Sequence, residues 1–236
     1  MEENQRHVHI AVLTQGHIRY ELANWLLGLV NTKAWGLAAQ HRRPFSVVFY
    51  EGRSREGRPV SSNRNRIIRD RPAGSDLIMI DADVIPHPDL FEIALQPDKD
   101  VIICPTPIWR AEGNILCPAR PNLNGTPENQ IIALGLDTYT EVLEGGTGAI
   151  YISRECLGHP DMHAPFQFQM GDDGTTLIGE DYTFCDKARA AGFKIWTANK
   201  ILCGHYQDVN LLTVMQRFHE VAEIAELEKN LAEEAL

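Results

Sequence analysis

Three short stretches carry side chains whose types and spacing suit chemistry. Asp81-Ala82-Asp83 directly follows the apolar run Leu77–Ile80. Paired carboxylates just past a buried strand stand at the carboxyl edge of a sheet, where open α/β folds bind ligands. Extended backbone points both the same way, and a slight bend lets one take a metal while the other takes a hydroxyl. Oxygen ligands of this kind suit Mg²⁺ or Mn²⁺, which keep open positions for phosphate oxygens. A solvated turn after a strand is the plainer alternative. The second stretch is Gly179-Glu180-Asp181, at the start of a helix pattern. Acids there are favoured by the helix dipole, by under about 1 kcal/mol. A carboxylate so placed also stays ionised and can accept a proton from an attacking hydroxyl. The third is His205 in CGHYQD, just after Ile201–Cys203, which reads as a strand. A lone histidine is ordinarily a structural hydrogen-bonding residue, and His205 gains meaning only beside the two acidic stretches.

Arg53, Arg55, Arg58, Arg64, Arg66, Arg69 and Arg71 form a dense basic run just before the paired carboxylates. Seven such side chains cannot all be buried. They form either a solvated loop or a cationic patch for a diphosphate or an anionic acceptor. Gly145-Gly146-Thr147-Gly148 lacks the trailing Lys of a P-loop, no GxGxxG follows the first strand, and no Gly-x-Ser-x-Gly elbow is present. These absences speak against nucleoside-triphosphate, dinucleotide and serine-hydrolase sites.

Such groups need a frame. His7–Leu13 reads as a buried strand, Thr14-Gln15-Gly16 as a turn, and Ile18–Val30 as a helix with Ile18, Leu22, Trp25, Leu26 and Leu29 at helical spacing. Strand, tight polar loop and helix in that order open many α/β nucleotide-binding folds. Phe45–Tyr50 (ending at Glu51), Leu77–Ile80, Val101–Cys104, Thr147–Ser153 and Phe193–Thr197 are further strands. Asn63–Asp70, Leu90–Leu95 and Glu180–Ala191 read as helices, the last stopped by Gly192. Residues 110–140 read as a long loop with hairpin pieces. Residues 158–179 are a second irregular stretch, of the length that covers an active site. Leu211–Leu236 is a helical tail with Leu211, Met215, Phe218, Ala222 and Ala225 on one stripe, Ile224, Leu227 and Leu231 on a second, and acidic last turns.

The 236 residues carry 22 Lys+Arg against 32 Asp+Glu, a net charge of −10, with 44% apolar residues. That is globular composition with enough chain to bury a core. The acidic balance disfavours coating of nucleic acid or anionic membrane. No run approaches the ~18 apolar residues of a membrane span, and MEENQRHVH lacks a signal-peptide pattern. A soluble, cytoplasmic protein is expected. The five cysteines are odd in number and irregularly spaced, which supports neither a disulfide scaffold nor a zinc ribbon.

In order, these signals resemble the GT-A glycosyltransferases, especially the family-2-like group, over most of residues 8–206. The resemblance rests on Asn63-Arg64-Asn65-Arg66, SDLIMIDADVIPHPDL, EGGTGAIYISRE and GEDYTFCDKARAAGFKIWTANKILCGH. It implies a single α/β GT-A (Rossmann-like) domain over 1–210, with a mixed, mainly parallel central sheet flanked by helices, followed by the helical tail 211–236. It implies a metal-dependent enzyme moving a sugar from a UDP- or GDP-sugar to an acceptor hydroxyl, with inversion. By position, Asp83 and His205 would ligate Mn²⁺ or Mg²⁺, and Asp81 would assist the metal or bind ribose. Asp181 would be the general base, and Glu180 would orient acceptor or base. Thr14, Gln15 and Glu51 would hold base and ribose, and Arg64 and Asn65 would contact the nucleotide. Gly145 and Gly146 would let donor or acceptor approach the backbone. The tail lies outside the resemblance and would pack on the domain or form a homodimer contact. The alternatives are a nucleotidyltransferase acting on a sugar phosphate, which normally carries a Gly/Arg/Lys-rich signature after the first strand, and a non-catalytic nucleotide-sugar-binding module. Donor sugar, nucleotide base and acceptor are not legible, and an anionic acceptor stays open because of the arginine run.

Overall fold

The computed structural model describes residues 6–14, 17–31, 36, 44–51, 60–96, 98–109, 115–122, 134–209, 211–216, 218–220 and 223–224. Gln15, Arg53, Arg55, Arg58 and all of 225–236 therefore lie outside the described residues. The strands are β1 (Val8–Thr14), β2 (Phe45–Glu51), β3 (Asp76–Asp81), β4 (Val84–Ile85), β5 (Val101–Ile103), β6 (Ile108–Trp109) and β7 (Ile115–Leu116). They continue with β8 (Ala119–Pro121), β9 (Tyr139–Gly145), β10 (Ala149–Ile152), β11 (Gln169–Met170), β12 (Thr176–Ile178), β13 (Ile195–Ala198) and β14 (Gly204–His205). The main helices are α1 (Tyr20–Asn31), α2 (Val60–Asp70) and α3 (Glu180–Ala190), and Leu90–Leu95 forms a 3₁₀ helix.

Eight strands form one sheet in the order β2-β1-β3-β10-β5-β13-β9-β8. Six of them point the same way, and β9 and β10 run against them. The sheet is thus mixed and mainly parallel, with helices on both faces. Side-chain alternation along the strands feeds two separate cores. Val8, Ile10 and Val12 of β1 and Ile78 and Ile80 of β3 pack with Leu22, Leu26 and Leu29 of α1. Ala11 and Leu13, with Leu77 and Met79, face the other way onto Ile67 and Ile68 of α2 and Phe184, Cys185 and Ala188 of α3. The apolar spacing of α1 is met, and it begins two residues later than the sequence suggests. Helix α3 ends at Ala190, and Gly192 takes φ +91°, the left-handed stop that its position implies.

Three regions depart from expectation. Tyr139–Gly145 is a full strand pairing antiparallel with β13; its alternation of half-buried Tyr139 and Glu141 with buried Thr140 and Val142 is hidden by mixed polarity. Ile201–Cys203 is not a strand, and Gly204–His205 pairs with β4 instead. The stretch 158–179 is ordered by a 3₁₀ turn (Pro160–Met162) and the β11–β12 hairpin. The tail is helical over its described residues, but Leu211, Met215 and Phe218 are 73%, 68% and 72% exposed, so these three members of the stripe do not pack on the domain. No helix among the described residues is long and apolar enough to cross a membrane. All five cysteines are free thiols, four of them buried.

Candidate functional site

The carboxyl edge of the sheet gathers the chemistry. In register, Thr14 of β1 lies beside Glu51 of β2, and Leu13 lies beside Asp81 of β3. Antiparallel β10 brings the 145–148 loop to the same edge, because a strand running backwards begins where its neighbours end. The Asp81 amide donates to the Gly148 carbonyl at 2.9 Å. Past Asp81 the chain turns, so the two carboxylates part. Asp81 faces inward. Asp83 is half-exposed and sits 3.5 Å (Oδ2 to Nε2) from His205. The β4–β14 pairing creates that proximity, and the Tyr206 amide donates to the Asp83 carbonyl at 2.8 Å. The other ring nitrogen of His205, Nδ1, lies 3.1 Å from the Pro107 carbonyl, which orients the imidazole with Nε2 toward Asp83.

Arg64, on the inner face of α2, is buried and reaches three carboxylates. Its Nη2 donates to Asp81 Oδ2 at 2.9 Å, and its Nη1 donates to Glu180 Oε1 at 2.9 Å and to Asp181 Oδ1. The Thr147 hydroxyl also donates to Asp181 Oδ1. Burial works against the Arg64 charge, but Asp81, Asp181 and Glu180 together overcome it and hold its pKa above the ordinary value. Burial pushes the Asp81 carboxyl up to about 6, against the pull of Arg64 and with the push of Asp181 and Asp83. Burial, then the neighbouring Asp181, raises Glu180 as well. Removing one partner of such a buried ion pair costs about 3–5 kcal/mol, so Arg64 belongs to the fold as well as to the site.

A cavity of about 260 Å³ opens over this cluster. Arg64, Asp81, Asp181 and His205 line it, with Gly146, Thr147, Gly148 and Gly179 as backbone and hydroxyl walls and Ile108, Pro118 and Tyr182 as larger ones. Asp181, His205 and Asp81 therefore meet at one cavity from three distant stretches, and Asp83 flanks it through His205. Glu180 is held back beneath, against Arg64. Gly145 does not line the cavity. A Cβ there would stand 2.0 Å from Ile103 Cδ1 and 3.0 Å from the Pro118 carbonyl oxygen, so that glycine is required by packing. Thr14 closes β1, its hydroxyl donating to the His17 carbonyl at 2.6 Å. Asn65 is turned to the loop: its amide donates to the Phe166 carbonyl at 2.7 Å and accepts from the Phe166 amide at 3.0 Å.

Thr147 and Gly148 are the additions that sequence reasoning missed. Gly-Gly-Thr-Gly reads as a failed P-loop, whereas its threonine hydroxyl is a second donor to Asp181. The metal question is one of fit. Asp83 and His205 stand close enough to share an ion, but among the described residues no three His, Cys, Asp or Glu side chains form a ready cluster. Asp81 Oδ2 is already held by Arg64. Two protein donors plus ligand phosphates is a normal set for Mg²⁺ or Mn²⁺, so the residues present fit such an ion.

No protein-family model matches the chain, and no curated protein matches its sequence. Solved structures do match in shape. GalNAc-T7, solved with UDP, GalNAc and Mn²⁺, aligns at TM-score 0.52 and 13% identity over 89% of this chain, and the chain spans 44% of that one. The catalytic domain of Drosophila β1,4-galactosyltransferase 7 aligns at TM-score 0.49 and 13% identity, covering 86% of this chain and 71% of that one. The inositol-1-phosphate CTP transferase from T. maritima aligns at TM-score 0.45 and 9% identity, covering 90% and 95%. The likeness to GalNAc-T7, together with the mixed sheet and its flanking helices, makes the fold of this chain GT-A-like.

Proposed function

We propose that the chain is a metal-dependent glycosyltransferase that moves a sugar from a nucleoside-diphosphate donor to an acceptor hydroxyl with inversion. One observation carries this reading: Asp81, Asp181 and His205 converge on one cavity, over a single buried guanidinium that holds three carboxylates. Such a cavity repels a bare diphosphate and welcomes one that arrives with a divalent cation. The donor diphosphate belongs beside Asp83 and His205, which stand 3.5 Å apart, close enough to share an added ion. When bound, Mn²⁺ or Mg²⁺ supplies neutralisation of the charge that grows on the leaving diphosphate.

The remaining chemistry falls to the chain's own side chains. Asp181 takes the proton of the acceptor hydroxyl as that oxygen bonds to the anomeric carbon and the bond to the diphosphate breaks. Thr147 and Arg64 fix one oxygen of Asp181 and so aim the carboxylate. Glu180 balances Arg64 from beneath. Thr14 and Glu51 lie at the strand ends where base and ribose would rest, and Gly146 gives the sugar a wall without a side chain. GalNAc-T7 was solved with UDP, GalNAc and Mn²⁺, which makes UDP-sugars with Mn²⁺ the first probes. A panel of UDP- and GDP-sugars, with Mn²⁺ or Mg²⁺ and mixed glycan acceptors, should show nucleotide release that EDTA abolishes. Release from none of them, together with no thermal stabilisation by UDP or GDP plus metal, would refute the reading.

A further inference from the structure

The arginine run offers a nucleotide ligand by sequence, but the best-placed member of it does something else. Arg64 has a side chain only 4% exposed. Both of its terminal nitrogens are committed to carboxylates, and those carboxylates come from two elements that do not pair in the sheet: Asp81 at the end of β3, and Glu180 and Asp181 at the start of α3. The guanidinium also lies 5.5 Å over the ring of Phe166. Phe166 stacks on Phe184 of α3 at 4.6 Å and 11°, and two bonds from the Asn65 side chain to the Phe166 backbone hold it in place. Residues 64 and 65 thus grip the two acidic stretches and the floor beneath them from one turn of α2.

We infer that Arg64 is a positioning residue: it sets the separation of the Asp81 and Asp181 carboxylates, and so of the donor and acceptor halves of the site, and acts on the reaction through them rather than by contacting the nucleotide. The planar fork is what makes this possible. One guanidinium reaches both sides at once in fixed geometry, whereas a lysine ammonium is a point charge that serves one side at a time. The reaction affected rests on the glycosyltransferase reading above; the geometry does not.

The test is Arg64→Lys, which keeps the charge and removes the fork. With the sugar nucleotide that the parent protein turns over, kcat should fall about 100-fold, the scale of a roughly 1 Å misplacement. KM for the donor should stay within about 3-fold, and so should the Kd of UDP with Mn²⁺ by calorimetry. Free guanidinium should restore part of the activity of Arg64→Ala, and methylammonium should not. Asn65→Ala, which loosens the Phe166 floor, should give a smaller loss with the same split; it decides the matter if circular dichroism shows the Arg64 variants unfolded. A rise of about tenfold in donor KM or UDP Kd with kcat kept would make Arg64 a nucleotide contact and overturn the inference. If the parent releases nucleotide from no sugar nucleotide, the proposed function has failed, and crystal structures of parent and Arg64→Lys then decide. A change of about 1 Å or more in the Asp81–Asp181 separation supports positioning; an unchanged separation overturns it.

Discussion

The two walls of the cavity are built on opposite plans. On one, Asp81, Glu180 and Asp181 are tied to Arg64 and Thr147, so that each carboxylate has an oxygen held by a donor. On the other, Asp83 is 53% exposed and meets His205 only at 3.5 Å. The first wall is finished by the protein itself. The second is a pair of side chains that the protein itself leaves open to solvent. Rigid groups aimed in advance need no reorganisation when charge moves, whereas a site that must load and release a charged ligand gains from being open. The contrast follows from origin. The tight wall is made of α2, α3 and the sheet, and the loose one of two short strands, β4 and β14, at the sheet's margin.

Four measurements would break or sharpen that contrast. Asp181→Asn should cost the most: transfer falls about 10²–10⁴-fold, the range for loss of a general base, while UDP–Mn²⁺ affinity by calorimetry is kept. If donor binding collapses as well, the tight wall is not separable from the loose one. Asp83→Ala should weaken Mn²⁺-dependent UDP binding by at least about 10-fold, the scale on which metal sites respond to altered ligation, and leave the melting temperature nearly unchanged because the side chain is exposed. Gly145→Ala should destabilise by about 1–3 kcal/mol, the usual cost of overpacking. Ile103 Cδ1 can swing away from the new methyl, but the Pro118 carbonyl cannot. Chemical denaturation reads this, and the loop carrying Thr147 should loosen with it.

The smallest effect lies away from both walls. His9 is buried, with Ser46 Oγ at 3.0 Å and Tyr50 Oη at 3.2 Å, and its pKa is lowered by burial, then by His7 and Arg71. The folded state therefore holds it neutral where the unfolded chain, with its ordinary value of 6.5, takes up a proton. Stability is complete above that value and declines as pH falls below it toward the lowered folded value. His9→Asn should flatten this slope in melts taken between about pH 7 and 5 without touching UDP binding.

How far the sequence disclosed this arrangement differs residue by residue. Asp81-Ala82-Asp83 was legible because four apolar residues run straight into it, and Glu180-Asp181 because a helix pattern starts there. The parting of Asp81 from Asp83 was not, since it depends on a turn whose outcome is fixed by β14, about 120 residues away. Arg64 was one of seven arginines in a run that reads equally as a solvated loop or a cationic patch; its burial depends on carboxylates 17 and 116 positions distant. Strand β9 escaped for a related reason. Its residues alternate in burial, but its outward members mix tyrosine, glutamate and leucine, and the partner that makes it a strand lies far along the chain.

The stretch 158–179 was expected to act as one cover, and it is two things. Residues up to Gln167 are pinned, by Asn65 at Phe166 and by the Thr183 hydroxyl, which accepts from the Gln167 amide at 3.2 Å. Beyond them the hairpin Gln169–Ile178 projects, its tip at Asp172, Asp173 and Gly174 exposed. Protease nicking, loop grafting or a fluorescent label at that tip would therefore leave the carboxylate cluster assembled. The hairpin can be exchanged like an interchangeable fitting, with the machinery behind it undisturbed.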